Sequence, residues 1–308
     1  MPKNNTVSLI TGGAGFIGSH IAYTLLKKGH QVIVFDNFSS GSLDNLKDIK
    51  TKIKVIKGDI TDFKQLKAAF KGVDYVYHHA ALVSVAESIQ KPQETQKINI
   101  EGTNNVLEAA KQTGVKRVLL ASSSAVYGNG KQIPYKENGP TDCQSPYAAS
   151  KLIGEELLKM YKKAYGLNTV MVRYFNVFGP GQNPDSPYAA VIAKFTQCAQ
   201  QGKAFCIDWD GKQSRDFVFI EDVVAATVLV MMKGKAGEVY NVASGKTHNL
   251  LQLASAIEQL KGLKLERVFR PKRAEDVKKS SADITKITKL GYKAKFTLKQ
   301  GLSLMCEK

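Results

Sequence analysis

Long apolar runs are missing from this sequence, and none approaches the roughly 20 residues that a membrane-spanning helix needs. The four cysteines, Cys143, Cys198, Cys206 and Cys306, show no CxxC spacing and no nearby histidine cluster, so neither a disulfide framework nor a metal site is predicted. Internal repeats and low-complexity tracts are also missing. Because a strand pattern begins at Val7, where a signal peptide would have its apolar core, we expect a cytoplasmic protein without a membrane partner.

The charge of the chain is unbalanced. Its 44 Lys+Arg residues against 27 Asp+Glu residues give a formal net charge of +17, which favours anionic partners. The lysines are spread along the whole chain, however, and no basic-aromatic ladder or nucleic-acid motif accompanies them. The charge therefore indicates a generally basic surface and no nucleic-acid partner, and the same field would favour a dianionic nucleotide.

Apolar, β-rich segments alternate with longer amphipathic segments over the first part of the chain. The β-rich segments are VSLIT, QVIVFD, IKVIKGD, DYVYHHA, RVLLASS and NTVMVRYF. This alternation predicts an α/β fold of the Rossmann type, with a doubly wound parallel sheet. After residue 176 the pattern becomes irregular, so we predict a main domain over residues 1–176 and a smaller, mainly substrate-binding C-terminal lobe over residues 177–308. In the second part, FVFIEDV and EVYNVA are expected to return to the main sheet.

Three glycines, Gly12, Gly15 and Gly18, lie between the first strand and an amphipathic helix. Their spacing allows a tight turn, a close approach of backbone N–H groups to a pyrophosphate, and a helix N-terminus that faces it. Asp36 ends the second strand, where its carboxylate can accept both adenosine-ribose hydroxyls and would repel a 2′-phosphate. We therefore predict that residues 1–176 bind NAD. The alternative is a structural turn followed by a turn-forming Asp36-Asn37 pair.

Two further motifs follow strands of the predicted sheet, at the edge where a doubly wound sheet binds its ligands. Asp59, in GDI, follows the third strand, where its carboxylate can pair with the adenine amine. His78 and His79, in HHAA, end the fourth strand. Since adjacent residues on a strand point to opposite faces, at most one of them would face the site. Packing at the strand end is the more ordinary interpretation of each histidine.

The segment SPYAASK separates Tyr147 from Lys151 by four residues, which puts both side chains on one face of a helix. Ser122, Ser123 and Ser124 end the strand RVLLASS, from which a hydroxyl can meet the tyrosine across the cofactor cleft. Hydride transfer at a carbinol needs such a set: Tyr147 would remove the hydroxyl proton, Lys151 and the nicotinamide charge would favour its phenolate, and Ser123 would hydrogen-bond the reacting oxygen. The tyrosine pKa must then fall from about 10 toward neutrality.

Taken together, the motifs resemble those of the extended short-chain dehydrogenases, and among them the UDP-glucose and UDP-N-acetylglucosamine 4-epimerases, over essentially the whole chain. The motifs are TGGAGFIGSH, FDNFSSG, GDI, HHAA, NIEGTNNVLEAA, SSSAVYG, SPYAASK, RYFNVFGPGQ, SRDFVFIEDVV and YNVASG. The resemblance implies further cofactor-binding positions at Phe16, Ile17, Asn37, Ile60, Ala80, Asn99 and Tyr174. It also implies a homodimer that forms through a pair of helices.

The resemblance implies a UDP-sugar substrate as well. The implied substrate-binding positions are Ser84, Ser123, Ser124, Asn176, Ala190, Arg215, Arg273, Asp276 and Ser280. Of these, the two arginines are expected on the UDP diphosphate, because a guanidinium group binds a pyrophosphate in bidentate fashion. Surface ion pairs are the alternative role for the arginines.

The residues after Ser123 bear on the reaction that follows oxidation. In the family's 4,6-dehydratases an Asp-Glu pair stands where this chain has Ser124 and Ala125, and the UDP-glucuronate decarboxylases carry Glu at the position of Ala125. Elimination needs a general acid and base, which neither residue supplies. The resemblance therefore implies a 4-epimerase that forms a transient 4-keto sugar. The alternatives are an epimerase of a UDP-uronic acid and an NAD-sensing regulator without catalysis.

Pocket volume at the C2 substituent of the sugar decides between glucose and N-acetylglucosamine. In the family, a large tyrosine shortly after an RxxD-type segment accompanies restriction to non-acetylated sugars. Aligning RAEDVKKSSAD on that segment puts Ser280 at the gate, and YAAVIAKF, with Ala189 and Ala190, resembles epimerases of N-acetylated sugars. We therefore expect UDP-GlcNAc and UDP-GalNAc to be interconverted, with UDP-glucose and UDP-galactose also accepted. The alternative is that Ser280 is a small solvent-facing residue.

Overall fold

The computed structural model describes residues 6–184, 191–272 and 278–306 of the 308-residue chain. Its strands, in chain order, are β1 Val7–Thr11, β2 Gln31–Asp36, β3 Lys54–Lys57, β4 Tyr75–His78, β5 Arg117–Ser123, β6 Thr169–Tyr174, β7 Asn176–Phe178, β8 Phe205–Asp208, β9 Ser214–Phe219, β10 Val239–Val242, β11 Thr247–Asn249 and β12 Arg267–Arg270. Its helices are α1 Phe16–Lys27, α2 Phe63–Ala69, α3 Val85–Gln90, α4 Pro92–Gln96, α5 Gly102–Thr113, α6 Pro146–Tyr165, α7 Val191–Gln201, α8 Ile220–Lys233, α9 Leu250–Lys261, α10 Thr285–Thr288 and α11 Leu298–Cys306.

Seven strands form one parallel sheet in the order β10-β6-β5-β4-β1-β2-β3. The direction of winding reverses between β1 and β4, and doubly wound sheets bind ligands at the carboxyl edge of such a switch point. The predicted α/β fold of the Rossmann type is therefore confirmed. The bounds of β1, β2 and β5 coincide with the segments VSLIT, QVIVFD and RVLLASS.

The two segments expected to return to the main sheet behave differently. EVYNVA supplies β10, which pairs in parallel with β6 at the sheet edge, as predicted. The prediction for FVFIEDV is wrong, because β9 is the central strand of a separate sheet in the order β11-β9-β7. An apolar strand has the same pattern in either sheet. Only the helix that begins within this segment reaches the main sheet: Arg117 of β5 donates a hydrogen bond to the carbonyl of Met231, near the end of α8, at 2.7 Å.

The smaller lobe contains the three-stranded sheet and the parallel pair β8 and β12. β7 opens this lobe at Asn176 and pairs with β9, whereas α8 and β10 of the second part pack on the main sheet. The division of the chain at residue 176 stays a prediction.

Helices cover both faces of the main sheet. Side chains of α1 and α8 share one apolar core with the sheet, and side chains of α2, α5 and α6 share a second one. Every residue of β6 is buried between them. Within the described ranges, no helix is long and apolar enough to cross a membrane. Nor do these ranges bring together three His, Cys, Asp or Glu side chains that could hold a metal ion.

Candidate active site

The glycine-rich turn between β1 and α1 is packed as tightly as its spacing predicts. Gly12 has φ +68°, and a Cβ there would lie 2.6 Å from the backbone N of Ala80. A Cβ on Gly18 would lie 2.2 Å from the carbonyl oxygen of Gly12, so the helix can approach the strand only with glycine here. A Cβ on Gly15 would meet no described atom within 4 Å except that same oxygen, at 3.3 Å.

Space in front of Gly15 therefore adjoins the start of α1, whose first turn begins with Phe16 and Ile17 and contains no acidic residue. A helix N-terminus with free N–H groups and no negative side chain attracts an anion. The described turn thus fits the pyrophosphate of a dinucleotide, in agreement with the sequence analysis.

Asp36 lies at the carboxyl end of β2 and is buried. Its Oδ2 accepts a hydrogen bond from the backbone N of Ala14 at 2.9 Å, and its Oδ1 accepts one from the backbone N of Phe38 at 2.8 Å. Since a carboxylate oxygen has two acceptor positions, each oxygen can still accept a ribose hydroxyl. The fixed carboxylate suits an unphosphorylated ribose better than one that carries a 2′-phosphate.

Asn37 and Asp59 meet beside Asp36. The side-chain amide of Asn37 donates to Oδ2 of Asp59 at 2.9 Å, and Thr61 donates to Oδ1 through its backbone N and its hydroxyl. Burial opposes ionisation of Asp59, but these hydrogen bonds outweigh it and lower the pKa of the carboxyl. Ile60, the next residue, is buried against Gly102. The predicted adenosine-binding residues are therefore brought together.

The side chain of Asn99 makes hydrogen bonds to other residues of the protein. It lies in a π-helical turn, Lys97–Glu101, and is buried. Its Oδ1 accepts from the backbone N of Leu82, and its Nδ2 donates to the carbonyl of Leu82 and to the hydroxyl of Ser150, at 2.8, 3.0 and 3.0 Å. Asn99 thus joins the loop after Ala80 to the residue that precedes Lys151, and its place in a cofactor site stays a prediction.

His78 ends β4 and His79 follows it, and each of the two histidines is hydrogen-bonded inside the protein. His78 contacts the hydroxyls of Thr11 and Thr103 at 2.7 and 3.0 Å, and His79 contacts that of Tyr174 at 2.9 Å. Burial lowers the pKa of His79 to about 3 and that of His78 well below its usual value, so both rings are neutral. The hydroxyl of Tyr174 also contacts Thr227 in α8 at 2.7 Å. These contacts favour the packing interpretation of the histidines.

Ser123, Tyr147 and Lys151 converge where β5 ends. The helix α6 begins at Pro146, after Ser145, whose hydroxyl accepts from the backbone N of Ala148 as an N-cap. This start fixes Tyr147 and Lys151 on the inward face, where both are buried, and Lys151 Nζ donates to the carbonyl of Ala121 in β5 at 2.9 Å. Nζ lies 5.8 Å from the centre of the Tyr147 ring.

The pKa values at this site differ from the expectation in one respect. Burial raises the pKa of Tyr147, although a hydrogen bond with Ser123 lowers it in part. Burial also lowers the pKa of Lys151 to about 8. The expected fall of the tyrosine pKa toward neutrality is therefore not seen for the chain alone, and the positive nicotinamide ring named in the sequence analysis is a further charge that would act in that direction.

A buried ion pair behind these residues was missed by the sequence analysis. Arg173 of β6 donates from Nε and Nη2 to the two carboxylate oxygens of Glu155 in α6, at 2.8 and 2.6 Å. The side chains are only 3% and 0% exposed. Ser122 also donates to Glu155, at 2.5 Å. The pair therefore fastens α6, one turn after Lys151, to β6, and the bond from Ser122 fastens it to β5, the strand that ends in Ser123.

The implied substrate residues lie on several elements. Arg215 of β9 donates to the carbonyl of Ser214 at 3.0 Å, and the side-chain amide of Asn176 donates to the carbonyl of Asp216 at 3.5 Å. Ser280 is buried rather than solvent-facing. Its backbone N donates to the carbonyl of Ser214 at 3.0 Å. The structure thus brings Asn176, Arg215 and Ser280 to the same strand.

Of the other implied substrate-binding positions, some lie within the described residues and some lie outside them. Ser84 caps α3 by accepting from the backbone N of Glu87 at 3.0 Å, and Ser124 begins a short 3-10 turn directly after Ser123. Ala189, Ala190, Arg273 and Asp276 lie outside the described residues, and their roles stay predictions.

Proton transfer to and from an alcohol next to a nicotinamide ring is the chemistry that this geometry suits. Fold and site together therefore define a dinucleotide-dependent enzyme of the short-chain dehydrogenase class. Comparison with known proteins makes the assignment more specific. The sequence profile of the NAD dependent epimerase/dehydratase family matches residues 8–243.

The chain is also similar to individual proteins and solved structures. A putative UDP-glucose 4-epimerase from Methanocaldococcus jannaschii is 36% identical over 297 residues, which cover 96% of this chain and 95% of that protein. The structure of UDP-N-acetylglucosamine 4-epimerase from Methanobrevibacter ruminantium, in complex with UDP-N-acetylmuramic acid, matches with a TM-score of 0.94 and 37% identity, over 98% of this chain and 97% of that one. That of Thermus thermophilus UDP-glucose 4-epimerase with NAD gives 0.91 and 32%, over 98% of each chain.

The chain belongs to the NAD dependent epimerase/dehydratase family. The resemblance stated from the motifs is thereby confirmed, and so is the prediction of an enzyme that uses NAD.

Proposed function

We propose that this enzyme is a UDP-sugar 4-epimerase that interconverts UDP-GlcNAc and UDP-GalNAc. The observation that carries the proposal is the convergence of Ser123, Tyr147 and Lys151 at the end of β5, followed by Ser124 and Ala125, which offer no carboxylate. An oxidised sugar beside this set meets no general acid or base for elimination from those two positions, so its simplest fate is to be reduced again.

The chain's own residues supply the proton transfers. Tyr147 accepts the proton of the sugar C4 hydroxyl as that carbon is oxidised, and it returns a proton when the carbonyl is reduced. Ser123 hydrogen-bonds the same oxygen, and the Lys151 ammonium favours the phenolate. NAD, when bound, supplies the ring that takes up a hydride and gives it back. If the 4-keto sugar turns over in between, the configuration at C4 is inverted with no net redox change.

The nucleotide end of the substrate is assigned to the smaller lobe. Arg215 lies in the centre of its three-stranded sheet, and Asn176 and Ser280 are tied to the same strand. A guanidinium group there suits the UDP diphosphate. Because Ser280 is much smaller than tyrosine, it would leave more room than a tyrosine for an acetamido group at C2 of the sugar. This last point supports the acetylated pair as substrates.

The test is to incubate the purified protein with UDP-GlcNAc, UDP-GalNAc, UDP-glucose, UDP-galactose and UDP-uronic acids, without added reductant, and to separate the epimers by chromatography. We expect turnover of the acetylated pair. Epimerisation of UDP-glucose with UDP-GlcNAc left untouched would show that the assignment of Ser280 is wrong. Turnover of a uronic acid alone would favour that substrate class, and bound NAD without turnover of any UDP-sugar would favour a regulator.

A pair of variants tests the gate. Ser280→Tyr should lower kcat/KM for UDP-GlcNAc on the order of 100-fold, since a ring forced into a packed pocket costs up to about 3 kcal/mol. The same variant should change kcat/KM for UDP-glucose by less than about 5-fold, because UDP-glucose has only a hydroxyl at C2. Ser280→Ala, which keeps the position small, is the matched control and should leave both substrates unaffected.

We also propose that the enzyme is a homodimer through α6. Ile153, Leu157 and Met160 follow the spacing of one helix face, and Ile153 and Met160 are both 41% exposed. Sedimentation at micromolar concentration should show two copies, and Met160→Lys should weaken their association. A wild-type protein that sediments as a single copy would contradict the proposal.

A further inference from the structure

Asp216 is a completely buried carboxylate next to Arg215 in the centre of the smaller lobe. Its Oδ1 accepts hydrogen bonds from the backbone N and the hydroxyl of Ser244, at 2.8 and 2.7 Å, and its Oδ2 accepts from the backbone N of Gly245 at 2.9 Å. Gly245 has φ +77°, so two successive N–H groups point at one anion. The side chain therefore fastens the turn after β10 to β9.

The backbone of Asp216 makes two further contacts. Its N–H donates to the carbonyl of Ser280 at 3.1 Å, and its carbonyl accepts from the side chain of Asn176 at 3.5 Å. On the other side of Arg215, the carbonyl of Ser214 accepts from the backbone N of Ser280 at 3.0 Å. The positions of Arg215, Asn176 and Ser280 thus depend on the backbone of residues 214–216 in β9.

We propose that Asp216 is a positioning residue for substrate binding, which sets the location of Arg215, Asn176 and Ser280 relative to one another. This inference rests on the proposed function. Adjacent side chains on a strand point to opposite faces, so Asp216 anchors the strand on the face that Arg215 does not use. An amide in its place would turn one acceptor into a donor facing the N–H of Gly245, and the strand would lose part of its anchorage.

The chain offers a matched control six residues later. Asp222, at the start of α8, is 2% exposed and accepts from the backbone N of Lys295 and Phe296 at 2.9 and 3.1 Å. These partners precede α11, and the described hydrogen bonds of the Asp222 carboxylate do not reach Arg215, Asn176 or Ser280. Asp216→Asn and Asp222→Asn therefore remove comparable buried anchors, but only the first should move the substrate residues.

The experiment compares the two variants as NAD-loaded enzymes. We measure KM and kcat for UDP-GlcNAc, the Kd of UDP by calorimetry, and thermal unfolding. Both variants should unfold at lower temperature than the wild type. Asp216→Asn should raise KM and the Kd of UDP by about 10-fold or more and change kcat by less than about 3-fold. Asp222→Asn should leave KM and Kd within about 2-fold of the wild type.

Two further variants make every outcome decisive. Arg215→Ala measures the role of the arginine itself. If Arg215→Ala weakens UDP binding but Asp216→Asn does not, the positioning role is refuted and the proposed function stands. If Arg215→Ala leaves UDP binding unchanged, the substrate site itself is misassigned. Should Asp216→Asn fail to fold, Ser244→Ala removes one hydrogen bond to the carboxylate and should still raise the Kd of UDP about 3-fold. An unchanged Kd in that variant would overturn the proposal.

Discussion

Replacing Glu155 by glutamine should destabilise the protein strongly, although the side chain keeps its size. The ion pair with Arg173 has almost no exposed surface, and its two bonds of 2.8 and 2.6 Å use both carboxylate oxygens. Glutamine would place an NH₂ group against an N–H of the guanidinium and leave a buried charge without its partner. Breaking a buried pair from one side costs about 3–5 kcal/mol. With an unfolding entropy of about 2.1 cal/mol/K per residue, the melting temperature should fall by about 5–8 °C.

The assay is thermal unfolding followed by circular dichroism, at one fixed NAD concentration for all variants. Glu258→Gln is the matched control, because the pair between Glu258 and Arg267 has a 2.8 Å bond but side chains that are 30% exposed for the arginine and 11% for the glutamate. A partly exposed pair is worth about 1 kcal/mol or less. If Glu155→Gln shifts the melting temperature no more than Glu258→Gln does, burial is not what makes the first pair important, and the reasoning is refuted.

Three further predictions concern the reaction and its cofactor. Tyr147→Phe should lower kcat by about 100-fold or more, since it removes the proton acceptor but keeps the ring, and NAD binding measured by calorimetry should be unchanged; near-normal turnover in the folded variant would exclude this base. Because the carboxylate of Asp36 would face a 2′-phosphate, protein stripped of nucleotide should bind NAD more tightly than NADP, and equal affinities would contradict this. Burial lowers the pKa of Lys151 to about 8, so its ammonium is present below that pH and lost above it. The kcat should therefore decline as the pH rises through about 8, and Lys151→Met should abolish this limb of the profile.

The main sheet was predictable because its strands obey local rules. VSLIT, QVIVFD and RVLLASS are short apolar runs with turn or helix signals on both sides, and their bounds agree with β1, β2 and β5. The sheet to which a strand belongs is a long-range property, which explains the error for β9. Its segment FVF is as apolar as β6, but its partners are β7 and β11, and both of them lie 28 or more residues away in sequence.

The site was predictable where a residue type has one main chemical use, as with the glycines of the first turn or the pair Tyr147 and Lys151. The supporting networks were not, because Glu155 and Arg173 act on each other, and Asp216 acts on the turn at Ser244 and Gly245. A signal was nevertheless present: Arg173 interrupts the apolar run TVMVRY, and Asp216 precedes the run FVFI. A charged residue within a buried strand is rare unless it has a partner, so Arg173 and Asp216 each indicate a buried partner.

Under the proposed function, one of these networks supports the residues of proton transfer and the other supports the residues of substrate binding. Glu155 and Arg173 join α6 to β5 and β6, so they hold the side of the cleft that carries Tyr147, Lys151 and Ser123. Asp216 joins β9 to the turn after β10, on the side proposed to bind the nucleotide and sugar. Since the described hydrogen bonds of the two carboxylates share no partner, a change in the smaller lobe can alter which sugar is bound while the proton-transfer residues stay in place. Variants on the two sides can all lower stability, but they should change different kinetic quantities, kcat for the first side and substrate affinity for the second.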